Sequence, residues 1–461
     1  MISVAKNICV CVVCMLLCYA CRTIKPEAPK IAETEIPIAP EPTSFVDIPI
    51  TVELLKHYNE AEKSVPVEYS GKDEPCQGIR YKYYFKRSPF QIAGNGNQIN
   101  LKFQGEYSID LTYCATCAFG TCIVPKISVS CGIGEALRKM NIGYSSTINI
   151  SNDYSIKSST SLTQLEPINK CRVSFLNIDA TDRLIEYVRN ELNAAGKEVD
   201  KNITAYNLKS EVEKLWKSTT SSFKIGDFGF LNINPEAISM SNLNINGSSL
   251  KLSVGIAAKP VIKAENIKNN PKPLPLLSTY KPANGFNVFV DLQTSYDSLS
   301  KYLTTQFSGK TILIKKRKFT ATNFKMYGVG NHKIGIAVDF IGSRKGTVYF
   351  TGTPTYNHKN HELSFPDLTF DLKTKDILLK LAKWLFNDKI IQAVRNNATY
   401  NLTGFLNDTK KRLNGEINRD LGDGISSKGE VTDLDIAEIY PRKSSILLRA
   451  FSKGKLEIKI N

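Results

Sequence analysis

The chain has 461 residues, 42% hydrophobic and 23% charged, with 60 Lys and Arg against 44 Asp and Glu and a formal net charge of +16. That length holds more than one domain of ordinary size, and the basic balance points to acidic partners or an anionic membrane surface. Nucleic acid is excluded as an expected partner, because no recognition helix, zinc finger or aromatic ribonucleoprotein motif accompanies the charge.

The chain opens with Lys6, an apolar run from Ile8 to Leu17, and Ala20 directly before Cys21. This pattern predicts a secretory signal over residues 1–20, too short for a permanent span. Ala20-Cys21, with Leu16 and Leu17 upstream, resembles the lipobox of bacterial lipoproteins, although Cys18 stands where that pattern prefers leucine. The resemblance implies a lipidated Cys21; ordinary signal cleavage would instead leave it an incidental thiol. Residues 21–44 follow with Pro26, Pro29, Pro37, Pro40 and Pro42 among four glutamates, an extended tether at roughly 3 Å per residue. No acidic cluster follows Cys21, so the expected place is the cell envelope, anchored in the outer membrane and facing the periplasm.

A first unit is expected over residues 45–268. Phe45 to Ile50 reads as extended, and Val52 to Glu62 as helical with Leu54, Leu55 and Tyr58 on one face. Tyr81, Tyr83 and Phe85, then Ile99, Leu101 and Phe103, alternate with polar residues about a Gly94-Asn95-Gly96-Asn97 turn. Ile127 to Val129, Ile142 to Ile150 and Val173 to Ile178 suggest further strands. From Asp182 the period becomes helical, with Leu184, Ile185, Val188, Leu192, Val199, Ile203, Leu208, Val212, Leu215 and Trp216 in register and a bend expected at Gly196. Leu250 to Ile256 then alternate as a strand.

Residues 269–285, with Pro271, Pro273, Pro275 and Pro282, read as an interdomain linker to a second unit over 286–461. There the order returns: an extended segment from Phe286 to Leu292, a helix from Tyr296 to Phe307 with Leu299, Tyr302 and Leu303 inward, and a strand from Ile334 to Phe340. A long helical pattern from Asp376 carries Leu378, Leu381, Ala382 and Leu385, then Ile390, Val394, Leu402, Leu406 and Leu413. Ile446 to Leu448 and Leu456 to Ile460 close the chain as strands. The extra strand pairs after each long helix are expected to form a sheet joining the units.

Three collinear matches mark a duplication: Phe90-x3-Gly-x-Gly-Asn with Phe324-x3-Gly-x-Gly-Asn, Tyr69-Ser-Gly-Lys with Phe307-Ser-Gly-Lys, and Tyr206-Asn-Leu with Tyr400-Asn-Leu. The separation is 324 − 90 = 234 at the first match and 400 − 206 = 194 at the last, so about 40 residues are extra in the first unit. That interval holds Cys114, Cys117, Cys122, Cys131 and Cys171, which with Cys76 make six cysteines beyond the signal. An even number in an exported chain reads as disulfides stapling an insertion too short for its own core, with Cys131–Cys171 one expected pair. Cys114 and Cys117 have zinc-like spacing, but Cys122 and Cys131 do not repeat it.

Little points to catalysis. His358 and His361 lie among Asn357, Lys359 and Asn360 in an expected turn, directed to opposite faces with no third ligand, while His57 and His332 are isolated. No Gly-x-Ser-x-Gly elbow is present, and each Gly-x-Gly precedes a strand instead of the helix that a phosphate loop needs. No metal, cofactor or enzymatic activity is expected. Lys315, Lys316, Arg317 and Lys318, with Lys410, Lys411 and Arg412, are candidate contacts for anionic headgroups, and such runs also serve as solvated faces.

The lipoprotein start, the Ser130-Cys131-Gly132-Ile133-Gly134-Glu135 segment and Cys171 resemble the bacterial lipoprotein family catalogued as domain of unknown function 4403. More distantly, the element order resembles the tubular lipid-binding superfamily that includes bactericidal/permeability-increasing protein. That resemblance implies an α+β fold of two tandem units, each a long bent antiparallel sheet wrapped on a long amphipathic helix, with joining strands between them. It also implies a lipid or other amphiphile held in apolar slots between helix and sheet. Leu54, Tyr58, Leu184, Val188, Leu192, Leu299, Leu303, Leu378, Leu381 and Leu385 are the candidate slot residues, though apolar stripes of this kind also fill ordinary cores. The alternative is a non-catalytic envelope scaffold that binds a protein or glycan through its surface.

Overall fold

The structure, a computed structural model, describes residues 23–24, 28–29, 31, 37–173, 178–179, 181–225, 229–266, 272–314, 317–343, 345–371 and 398–461. The signal, Cys21, Lys315, Lys316, Leu378, Leu381 and Leu385 lie outside them. The fold is mixed and strand-rich, with an 18-stranded sheet and a six-stranded one carrying a few helices.

Strand β1 (Ser44–Glu53) leads directly into helix α1 (Leu55–Ser64). The helix begins three residues later than the pattern from Val52 suggests, because Val52 and Glu53 remain paired with Leu250 and Ser249. Next, β2 (Gly78–Arg87), β3 (Gln91–Gly96) and β4 (Gln98–Cys114) build the hairpin. The turn lies between β3 and β4, and β2 pairs with the far half of β4 beyond a break at Ser88-Pro89-Phe90. The buried Arg87 guanidinium fastens α1 here, donating to the carbonyls of Glu62, Val65 and Pro66 at the helix end and to the Glu62 carboxylate. These bonds satisfy carbonyls that a helix C-terminus leaves without partners.

The sheet continues through β5 (Ile127–Cys131), β6 (Arg138–Ile150) and β7 (Ile156–Pro167). The Ser- and Thr-rich β7 has no apolar alternation to announce it and was not expected; its pairing with β6 along 140–150 creates it. Of the expected strand from Val173 to Ile178 the two ends are described, and they belong to antiparallel pieces, Arg172–Val173 and Ile178–Asp179, paired with each other.

Helix α2 (Thr181–Thr204) runs uninterrupted through Gly196, which corrects the expected bend. Gly196 is buried where the helix crosses the sheet, and an added Cβ would come to 3.5 Å from Thr160. The break comes at 205–207, where the Asn207 side chain accepts from Ser210 N and starts α3 (Leu208–Thr219). Tyr206-Asn-Leu therefore marks a helix start, not the inside of one.

After α3, β8 (Ser249–Ala258) pairs antiparallel with all of β1, and β9 (Val261–Lys263) runs parallel to β10 (Phe286–Ser295). Of the proline-rich segment between β9 and β10, residues 272–278 lie against the body. Leu274 and Leu277 pack on Tyr154, Trp216 and Ile238, and Trp216 donates to Lys272 O at 3.1 Å.

Helix α4 (Tyr296–Phe307) has the expected bounds. Tyr296, Leu299 and Leu303 face Met326 and Ile334, whereas Tyr302, expected inward, is exposed because it lies roughly 100° around the helix from Leu303. The hairpin of β11 (Arg317–Gly330) and β12 (Lys333–Gly342) turns at Asn331-His332, both at positive φ. Phe307-Ser-Gly-Lys ends α4 with Gly309 at φ +82, while Tyr69-Ser-Gly-Lys is strand, so these two segments are not structural counterparts. Helix α5 (Thr403–Ile417) follows Asn401, whose side chain accepts from Thr403 N at 3.0 Å.

Strand β13 (Ile425–Pro441) was not expected, and the two closing strands are one, β14 (Ser445–Ile460). Register shifts after Val431 and Ile436 let so long a ladder bend. β14 pairs antiparallel with β10 and parallel with β1, so β1, β8, β9, β10 and β14 lie in one sheet.

At the centre of that sheet Arg449 and Asp291, both buried, form a two-bond pair at 2.7 and 2.9 Å. The same guanidinium donates to the carbonyls of Ala39 and Pro40, which docks the chain just before β1. Burial here, reinforced by the Asp291 charge, pushes the Glu41 carboxyl up from 4.5 to about 7. The docked state therefore holds a proton that the free segment releases. Its stability is fully present below about pH 4.5 and falls as pH rises toward 7. Screening discounts the penalty at this half-buried group to ~1–2 kcal/mol. Glu41→Gln should thus tighten docking of residues 37–43 at pH 8 and leave it unchanged at pH 4, read by hydrogen exchange; equal effects at both pH values would refute it.

Candidate functional site

The apolar seam lies between α2 and the inner face of β4, β6 and β7. Cys131, Met140, Ile142, Leu165, Cys171 and Leu184 are buried in it together with Tyr107. Of the expected slot residues, Leu184 is core, while Val188 and Leu192 are half-buried against that cluster beside Ile185, Phe85 and Phe103. Leu299 and Leu303 belong to a separate cluster under α4. Leu54 and Tyr58 are not brought to the seam: they sit against the turn before β8, where Leu54 N donates to Ser248 O and the Tyr58 hydroxyl to Gly247 O.

Three fastenings hold α2 at intervals along the seam. At its start, Cys171 N donates to Thr181 Oγ1 at 2.9 Å, and Cys171 is disulfide-bonded to Cys131 as expected. Midway, the Tyr144 hydroxyl donates to Leu192 O at 2.9 Å, and burial pushes this phenol up to about 12. Toward the end, Asp200 accepts from the Ser158 hydroxyl and from Thr160 N and Oγ1 at 2.7–2.9 Å. Burial alone would raise the Asp200 carboxyl, but these bonds hold it below its ordinary value. Sequence reading missed Asp200, yet its signal is visible: Val188, Leu192, Gly196 and Asp200 form one i, i+4 row, and an acid on an apolar stripe demands a partner.

The other disulfides are Cys76–Cys117 and Cys114–Cys122, so all six cysteines expected to pair do so. Lys318 is exposed, and Arg317 enters β11 beside Ile314. Lys410 donates to Thr432 O, while Lys411 and Arg412 are exposed on α5.

His358 and His361 do not point apart. The turn between Thr355–Asn357 and Glu362–Ser364, with His361 at φ +52, bends both onto Asp435, each Nδ1 at 3.2 Å from one carboxylate oxygen. Tyr356 also donates to Asp435, and Ile436 N at 2.9 Å completes its partners. Burial alone would raise the Asp435 carboxyl, but these hydrogen bonds lower it. Among the described residues no group of three or more His, Cys, Asp or Glu is arranged to hold a metal.

The described geometry is thus an apolar seam to which α2 is fastened at three points. Its sequence matches the model for domain of unknown function (DUF4403) over residues 42–460. The chain belongs to that family. No curated protein matches this DUF4403 chain. Among solved structures it is similar to the crystal structure of lipopolysaccharide binding protein, at 12% identity over 91% of this chain and 98% of that one, with a TM-score of 0.22. It is also similar to the structure of P47 from Clostridium botulinum A2, at 10% identity over 89% and 97%, with a TM-score of 0.20. At such TM-scores neither likeness bears on fold or ligand. No helix among the described residues is long and apolar enough to cross a membrane.

Proposed function

We propose that this chain is a lipid-anchored protein of the cell envelope that binds or carries a lipid or other amphiphile in the seam between α2 and its sheet. The observation that carries the reading is that the seam is fastened but not sealed. Among the described large apolar side chains of α2 Leu184 alone is buried, while Ile185, Val188 and Leu192 and the facing Phe85 and Phe103 keep part of their surface open. A helix joined to a sheet by polar bonds at separate points can lift between them to admit an acyl chain, whose transfer is favourable by ~0.8 kcal/mol per buried methylene. The protein's contribution is solvation, with no covalent step.

The reading includes two units of one architecture, each with its own seam. It is supported by the antiparallel pairs β1 with β8 and β10 with β14, and by an asparagine just before α3 and before α5 whose side chain accepts from a backbone N–H of the first turn. It is supported too by the reciprocal parallel contacts of β14 with β1 and of β9 with β10. Anchorage through a lipidated Cys21, at the outer membrane and facing the periplasm, belongs to the same proposal.

Native mass spectrometry of detergent-free protein should find co-purified lipid. Val188→Trp, which fills the seam, should reduce its occupancy at least about tenfold at a stability cost of no more than about 1–3 kcal/mol. Protein free of lipid that also binds no apolar probe would end the proposal.

A further inference from the structure

We infer that the disulfide-stapled tip formed by β4, β5 and the hairpin between them is a membrane-inserting finger, and that the apolar face behind it leads acyl chains from a bilayer to the α2 seam. The inference rests on the amphiphile-binding function proposed above and names the surface through which the ligand enters.

The inner face of the sheet continues past the start of α2. Along β4 the side chains of Ile109, Leu111 and Tyr113 share that face, and along β5 so do Cys131, Val129 and Ile127, in matched cross-strand pairs. The first pair, Ile109 with Cys131, lies in the core beneath α2; the last, Tyr113 with Ile127, is 47% and 63% exposed. One apolar surface therefore runs from the seam into solvent without interruption.

At its end stands a small hairpin in which Cys117 pairs with Cys122 and Ala118 with Thr121. Cys76–Cys117 and Cys114–Cys122 brace it. Phe119 occupies its turn at φ +52, a conformation bulky residues avoid, and is fully exposed. Strain retained to hold an aromatic ring outward points to a use for that ring. Ile123 is also largely exposed, and the disulfides keep these side chains from folding back into the body.

The occupant follows from charge and from shape. Between Leu111 and Ile133 the single charged residue is Lys126, in a chain that is 23% charged and carries a net +16. A protein partner is recognised through a polar rim and shape complementarity, whereas a bilayer accepts apolar side chains on a projecting turn and an anionic headgroup complements one cation. Part of the tip's backbone is satisfied within the tip itself, by the ladder of Cys117–Ala118 with Thr121–Cys122 and by Ile123 N donating to Thr116 O, which suits a shallow, interfacial insertion.

The test places an indole at the turn by Phe119→Trp in the full chain, with wild-type protein as the background for Trp216 and Trp384. Vesicles of phosphatidylethanolamine and phosphatidylglycerol with brominated acyl chains should shift the added emission to the blue and quench it by about half. In the same assay Ile123→Asp with Ile127→Asp should weaken vesicle binding at least about tenfold, with thermal stability retained because both sites are exposed. Added emission that stays water-like on vesicles overturns the finger, as does a blue shift that follows protein concentration without lipid, which would mark self-association. Quenching with no lipid found by native mass spectrometry would leave the finger standing and remove carriage; bound lipid without quenching would do the reverse.

Discussion

Replacing Arg449 by methionine is expected to destabilise the fold by about 3–5 kcal/mol, because it leaves the Asp291 carboxylate buried without its partner. Arg449 is 4% exposed and Asp291 6%, so water cannot take over either half of the pair. The guanidinium also holds the Ala39 and Pro40 carbonyls and lies 5.5 Å from the Tyr440 ring centroid. Its loss should therefore release residues 39–41 as well as loosen β10 from β14. The double variant Arg449→Met, Asp291→Val should recover most of the loss, since it removes both buried charges and replaces them with apolar side chains. Urea unfolding followed by tryptophan emission reads both. A single-variant cost below about 1 kcal/mol would mean that the pair behaves like a surface ion pair, and the central-sheet account would fail.

Removing the Cys131–Cys171 disulfide by Cys131→Ala, Cys171→Ala is expected to cost about 4 kcal/mol, from the entropy of the long loop it closes. The two cysteines are 40 positions apart and enclose the β6–β7 hairpin on which α2 lies. Both sulfurs are core, and Cys171 N anchors Thr181 at the helix start. Hydrogen exchange should accordingly speed up first in the initial turns of α2. Removing Cys114–Cys122, only eight positions apart, should cost about 2–3 kcal/mol and leave α2 protected. Equal effects of the two deletions on α2 exchange would show that the long bridge does not hold the seam.

Elements with a strong internal pattern were legible in the sequence. The bounds of α4, the apolar row of α2 and the alternation of β8 all follow from residue spacing within one segment. Strands β7 and β13 were not legible, because Ser and Thr on one and alternating acids on the other show no apolar period. They are strands because neighbours supply their hydrogen bonds. The glycines divide in the same way. Gly96 is at a turn, with φ +60, as its pattern implied, whereas Gly94 and Gly328 are small because Ile245 and the Arg442 carbonyl approach them from distant segments.

By itself, then, the sequence determined the local periods, the set of cysteines that pair and the candidate helix faces, which rest on residue types and their spacing along the chain. Only the tertiary structure decided which face is half-buried, that Asp435 gathers two histidines, and that a ladder from the core reaches a stapled tip whose single charge is Lys126. Those features arise where segments tens to hundreds of residues apart meet: exposure and ion pairing are set by what the other segment brings, and no spacing along one strand encodes its partner.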